Sequence, residues 1–138
     1  MPEIAFQLKK AAITLSIPRG GLVQCSLEEA KQIVSKAKAV FVEGNPSAWW
    51  VALKRPYVVH EFPEGGGYKH ISEIIPSDRI RCWLIPETGE DSLPVFDVAV
   101  LYITALLDEC ETFEYYCVDK DYRFLLVEND HNQLIFAS

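Results

Sequence analysis

Apolar positions along the chain follow two periods, and the switches between them mark out helices and strands. From residue 3 to 15, Ile4, Leu8, Ala11, Ala12 and Leu15 recur at helical spacing, with Lys9 and Lys10 on the other side. Pro18 and the Gly20-Gly21 pair end this helix. Ser26 opens a second one. With Glu29 three positions on it forms a capping box, in which each side chain serves the other's free backbone N–H. Leu27, Ala30, Ile33, Val34 and Ala37 make its apolar face. Lys31, Lys36 and Lys38 make the polar one, two of them near the C-terminal end, where the helix dipole favours cations.

The next segments switch period. Ala39 to Val42 is short and β-branched and predicts a strand, broken by Gly44-Asn45-Pro46. Trp49 to Leu53 is read as a strand as well, although Pro46 also fits a first helical turn. Pro56 to Phe62 alternates, with Tyr57, Val59 and Glu61 on one side and Val58, His60 and Phe62 on the other. Pro63 to Gly67 predicts a mobile turn, Tyr68 to Ile75 a short helix, and Ile80 to Ile85 a strand. Asp97 is placed to cap a helix running to about Cys110, apolar over most of its circumference and therefore largely buried. Three strands finish the chain as a meander: Phe113 to Val118, Tyr122 to Val127 and Leu134 to Ala137. Asp119-Lys120-Asp121 and Glu128 to Asn132 provide the turns between them. This order is α+β, not alternating βαβ. The expected architecture is one domain over residues 1–138, an antiparallel, twisted sheet with about three helices packed mainly on one face.

Composition narrows the functional classes. The chain has 138 residues, 49% of them hydrophobic and 12% aromatic, enough for a closed core. Twenty acidic residues against 13 basic ones give a formal net charge of −7, which disfavours nucleic acid and anionic membrane surfaces. An acidic balance suits a basic protein partner and also serves solubility alone. No apolar run reaches the roughly 18 residues of a membrane span. Cys25, Cys82, Cys110 and Cys117 form no CxxC pair, and no signal peptide is read at the N-terminus. The expectation is a cytoplasmic chain with four reduced, structural thiols.

Candidate chemistry is sparse. His60, His70 and His131 carry no metal-ligand spacing, so no metal and no cofactor is expected. Asp130 or Glu128 with His131 has the residue types of a general acid/base pair, and His60 with Glu61 extends the set. The segment Glu128 to Asn132 is also what a hairpin turn requires. Cys82 and His60 make a nucleophile and base if their strands are adjacent. Gly65-Gly66-Gly67 before Lys69 lacks the spacing and the hydroxyl of a phosphate loop. The aromatic residues are the better binding candidates: Trp49, Trp50, Tyr68 and Tyr116. Trp49 and Trp50, if on a strand, point to opposite faces, so one is more open than the other.

The segments Trp50 to Pro63 (WVALKRPYVVHEFP), Cys82 to Glu87 (CWLIPE) and Phe113 to His131 (FEYYCVDKDYRFLLVENDH) resemble a family of small, uncharacterised bacterial proteins. That family has the look of immunity proteins encoded beside polymorphic toxins, including the SMI1/KNR4-like group. Ile17-Pro18 stands where that group has Leu-Pro, and no Asn-Gly follows. The resemblance implies a non-enzymatic protein that binds and neutralises a partner. Two other readings stand beside it: a small enzyme using His60, His131 and nearby carboxylates, and a homodimer that buries its exposed aromatics against a second copy.

Overall fold

A computed structural model describes residues 3–138. Its helices are α1 (Ile4–Thr14), α2 (Leu27–Phe41), α3 (Ile71–Ile74) and α4 (Val100–Asp108). Its strands are β1 (Leu22–Gln24), β2 (Tyr57–Glu61), β3 (Arg81–Pro86), β4 (Phe96–Ala99), β5 (Tyr115–Asp119), β6 (Leu125–Glu128) and β7 (Gln133–Ala137). They form one antiparallel sheet in the order β1-β4-β3-β5-β6-β7-β2. The fold is α+β, as the order of elements predicts. No helix among the described residues is long and apolar enough to cross a membrane.

Alternation in the central strands builds two cores. Tyr115 and Cys117 of β5, Leu126 of β6 and Leu134 of β7 face one side, where α1, α3 and α4 pack through Leu8, Ile71, Ile103 and Leu106. Tyr116 and Val118, Leu125 and Val127, and Ile135 face the other, covered by Ala30, Ile33, Ala37 and Phe41 of α2 and by Trp49. Three helices thus share one face, and the fourth seals its reverse. All five residues of β5 are buried. Strands covered on both faces read as continuous apolar runs, not as alternation.

Several elements differ from the sequence reading. Phe41 completes α2 instead of a strand, because Ile33, Ala37 and Phe41 repeat every four residues and bury together. Only Val42 is extended, bridging Leu53. Trp49–Val51 is a 3-10 turn, not a strand. Asp97 caps no helix. It lies in β4 between the buried Phe96 and Val98, and its carboxylate accepts from Arg81 Nε (2.8 Å) and Lys120 Nζ (2.9 Å). The helix starts only at Val100, whose N–H donates to the Ile80 carbonyl. Strand β1 has three residues and carries no period to read. Ser26 does cap α2: its Oγ accepts from Glu29 N–H (3.1 Å) and lies 3.2 Å from the Glu29 carboxylate.

Asp119 closes the β5–β6 turn. Its buried carboxylate, 2% exposed, accepts from the backbone N–H of Asp121 (3.2 Å) and Arg123 (3.0 Å) and from Arg123 Nε (2.9 Å). Burial raises such a carboxyl, but Arg123 and the two amides outweigh it and hold the group below its ordinary value near 3.8. Asp119→Ala strands those amides and is expected to cost about 1–3 kcal/mol at neutral pH. A carboxyl depressed on folding stabilises above its unfolded value and loses that contribution as pH falls. The gap in unfolding free energy between wild type and Asp119→Ala, measured by urea denaturation, should therefore be full near pH 7 and shrink below about pH 4.

Candidate functional site

The end of the sheet where β5 and β7 begin and β6 ends carries three loops, residues 62–66, 110–114 and 129–132, the first leading into a 3-10 turn at Gly67–His70. Between them lies a cleft of about 410 Å³. Five carboxylates line it: Glu64, Glu111, Glu114, Glu128 and Asp130. Among the described residues no Lys or Arg does. Tyr68, Phe113, Tyr115 and Leu107 supply the apolar part of the wall.

Glu128 is the most deeply held of these acids. It ends β6 directly opposite Tyr115, whose Oη donates to it at 2.7 Å. The N–H groups of Gly67 and Tyr68 also point at it. Burial pushes its carboxyl upward despite these donors. The same burial, with the Glu128 charge beside it, lifts the Tyr115 phenol well above its usual range. Gly67 is needed for the approach, since a Cβ there would stand 2.9 Å from Glu128 Oε2 and 3.1 Å from the Phe62 ring. Tyr68 is fixed above the cleft by donating to Asp108 (2.6 Å), a bond that raises its phenol to about 12.

The hairpin from Glu128 to Asn132 is a built turn. Asn129 is buried, and its Oδ1 accepts from the N–H of His131 (3.0 Å) and Gln133 (3.2 Å). Asn132 takes a left-handed φ of 57°, which Asn tolerates better than most residues. The rim continues around the sheet end through Glu114, whose Oε1 accepts from Trp50 Nε1 and from Asp130 N–H, both at 3.3 Å. The Trp50 ring meets the His131 ring edge-on at 5.4 Å. Asp130 and His131 approach to 3.5 Å, both exposed.

The candidates from sequence therefore divide. Trp50, Tyr68, Asp130 and His131 gather at this end of the sheet. Trp49 and Tyr116 do not, being core residues stacked on each other at 4.0 Å, with Tyr116 Oη donating to Glu87. His60 sits on β2 opposite Leu134 and does not line the cleft. Cys82 lies on β3, with β5, β6 and β7 between it and β2, so the Cys82–His60 pairing is ruled out. Sequence reasoning missed Tyr115, Glu111 and Glu114 as wall residues. The strand register sets Tyr115 against Glu128, and the loop leading into β5 carries Glu111 and Glu114 to the same end of the sheet. No group of three or more His, Cys, Asp or Glu suited to a metal ion occurs among the described residues.

Residues 2–138 match a family of unknown function, DUF6756. The chain belongs to that family. No curated protein matches it, and no solved structure does. The DUF6756 match spans all three loops of the cleft, but a family of unknown function assigns no role to them.

The Gly67–Glu128 contact is open to a double-mutant cycle. Gly67→Ala should destabilise the wild type by about 1–3 kcal/mol. Its cost should be smaller in a Glu128→Ala background, where one of the two crowded neighbours is gone. Chemical denaturation of the four proteins reads the difference.

Proposed function

We propose that this DUF6756 chain is a non-enzymatic binding domain whose acidic cleft receives a basic segment of a partner protein. One observation supports the reading: five acidic residues line one concave site without a Lys or Arg among its described lining residues. Carboxylates recognise Arg through paired, charge-assisted hydrogen bonds. Tyr68 in the wall offers a ring that already takes a cation, with Lys69 Nζ 5.9 Å from its centroid, and a guanidinium is suited to the same kind of contact. A cation brought among these acidic side chains is attracted by their charge. A role like that of an immunity protein, which silences a basic partner by occupying its surface, fits this chemistry.

An arginine-rich peptide titrated into the protein tests the proposal, with binding followed by calorimetry. Affinity should fall as salt rises. The triple variant Glu64→Gln, Glu111→Gln, Asp130→Asn should bind at least about tenfold more weakly, a loss of roughly 1.4 kcal/mol. A control losing the same charge on exposed sites away from the cleft (Glu28→Gln, Glu43→Gln, Asp78→Asn) should bind as wild type does. Equal weakening in both variants would mean that overall charge, not the cleft, holds the peptide, and the proposal would fall.

A further inference from the structure

Independently of the cleft, the geometry points to an edge of the sheet as the contact surface for a second copy of this chain: we propose that two β2 strands pair antiparallel across a two-fold axis centred on Val58, joining two sheets into one.

The two edges of the sheet are unlike. On one side β1 is three residues long, too short to template a partner. On the other, β2 runs for five residues and pairs only with β7. Three consecutive apolar side chains on it are exposed: Tyr57 at 54%, Val58 at 57% and Val59 at 39%. Natural edge strands are normally blunted by a central Lys, a Pro or a bulge. Pro56 precedes this strand, and nothing of the kind interrupts Tyr57, Val58 and Val59.

The backbone along that edge is open in a regular way. Phe62 N–H donates to Asn132 and Pro56 C=O accepts from Ser138, so the even-numbered residues of β2 turn their polar groups to β7. By antiparallel alternation, Tyr57, Val59 and Glu61 turn their N–H and C=O groups outward. No other strand takes them up among the described residues.

Side chains select both the partner and the register. A two-fold axis at Val58 sets Tyr57 opposite Val59, and Arg55 opposite Glu61, each pair occurring twice. Aromatic with β-branched and opposite charges face to face are the favourable cross-strand pairs. Moving the axis to Val59 would set Tyr57 against Glu61 and Arg55 against Pro63, losing both. Glu61 ends β2 and accepts from Gln133 (3.2 Å), whereas Arg55 stands in the bend before Pro56 and rests on the Phe41 ring (5.3 Å); pairing continued just past the start of the strand sets these two charges on either side of the apolar centre. A strand that carries its own complement when reversed is suited to a copy of itself.

Sedimentation equilibrium of the full chain over a wide range of concentrations tests this. Wild type should show a reversible monomer–dimer equilibrium. Val58→Lys changes an exposed position of the monomer but sets two cations together on the axis, so it should give a monomer with an unaltered circular dichroism spectrum. Arg55→Glu and Glu61→Arg each place like charges opposite one another twice, and each should dimerise about tenfold more weakly. Mixing these two variants should restore the dimer, because opposite charges then meet at both ends. A wild type that stays monomeric throughout overturns the proposal. A dimer indifferent to Val58→Lys, or charge variants that mixing does not rescue, overturns it equally, because the contact would then lie on another surface.

Discussion

Everything in this fold hangs on strands buried from both sides. In β5 and β6, odd and even residues feed different cores, so neither face can be given up to solvent without losing several fully buried side chains. Each buried Leu, Val or Phe is worth on the order of 1.5–3 kcal/mol relative to exposure. That requirement dictates the helices. Three of them cover one face and α2 with Trp49 covers the other, because an uncovered face would leave Tyr116, Val118 and Leu125 in water. The turns are constrained in the same way. Among the described residues, Asp119 and Asn129 are the two buried polar or charged ones, and each turns side-chain oxygen to the backbone of a tight turn beside the core.

The cleft is a by-product of this layering that has acquired a distinct charge. Strand ends cannot be covered by helices lying along the sheet, so loops meet there. In this chain those loops bring acids. Glu128 is anchored by the Tyr115 hydroxyl and by two amides made accessible through Gly67, whereas Glu64, Glu111 and Asp130 stand toward the opening. Glu114 links the two sides of the sheet end by holding Trp50 and the β6–β7 turn with a single oxygen.

Much of the architecture was legible in the apolar pattern. The capping Ser26, the helical repeat of α1, the strand at β2 and the closing meander all appear in the sequence and in the fold, because each is decided largely by local chemistry. The misreadings occur where distant contacts decide. Phe41 is β-like by composition, yet it continues a helix because it buries in line with Ile33 and Ala37, in the core that Trp49 shares. Asp97 has the residue type of a helix cap, but Arg81 and Lys120 claim its charge first. The candidate site was half visible. Asp130, His131, Trp50 and Tyr68 were singled out by residue type, while Tyr115 and Glu114 became meaningful only once strand register fixed what they face.

The position of β2 also bears on how the chain is made. Its one neighbour in the sheet, β7, lies far along the sequence: Glu61 pairs with Gln133, about 70 positions later. At ordinary rates of synthesis that interval lasts several seconds. Throughout it, a nascent segment rich in Tyr and Val has no native partner, and the loop to be closed is among the costliest in the molecule. The β6–β7 hairpin thus shelters a strand translated long before it, and a folding helper acting on this chain would find β2 exposed throughout that interval.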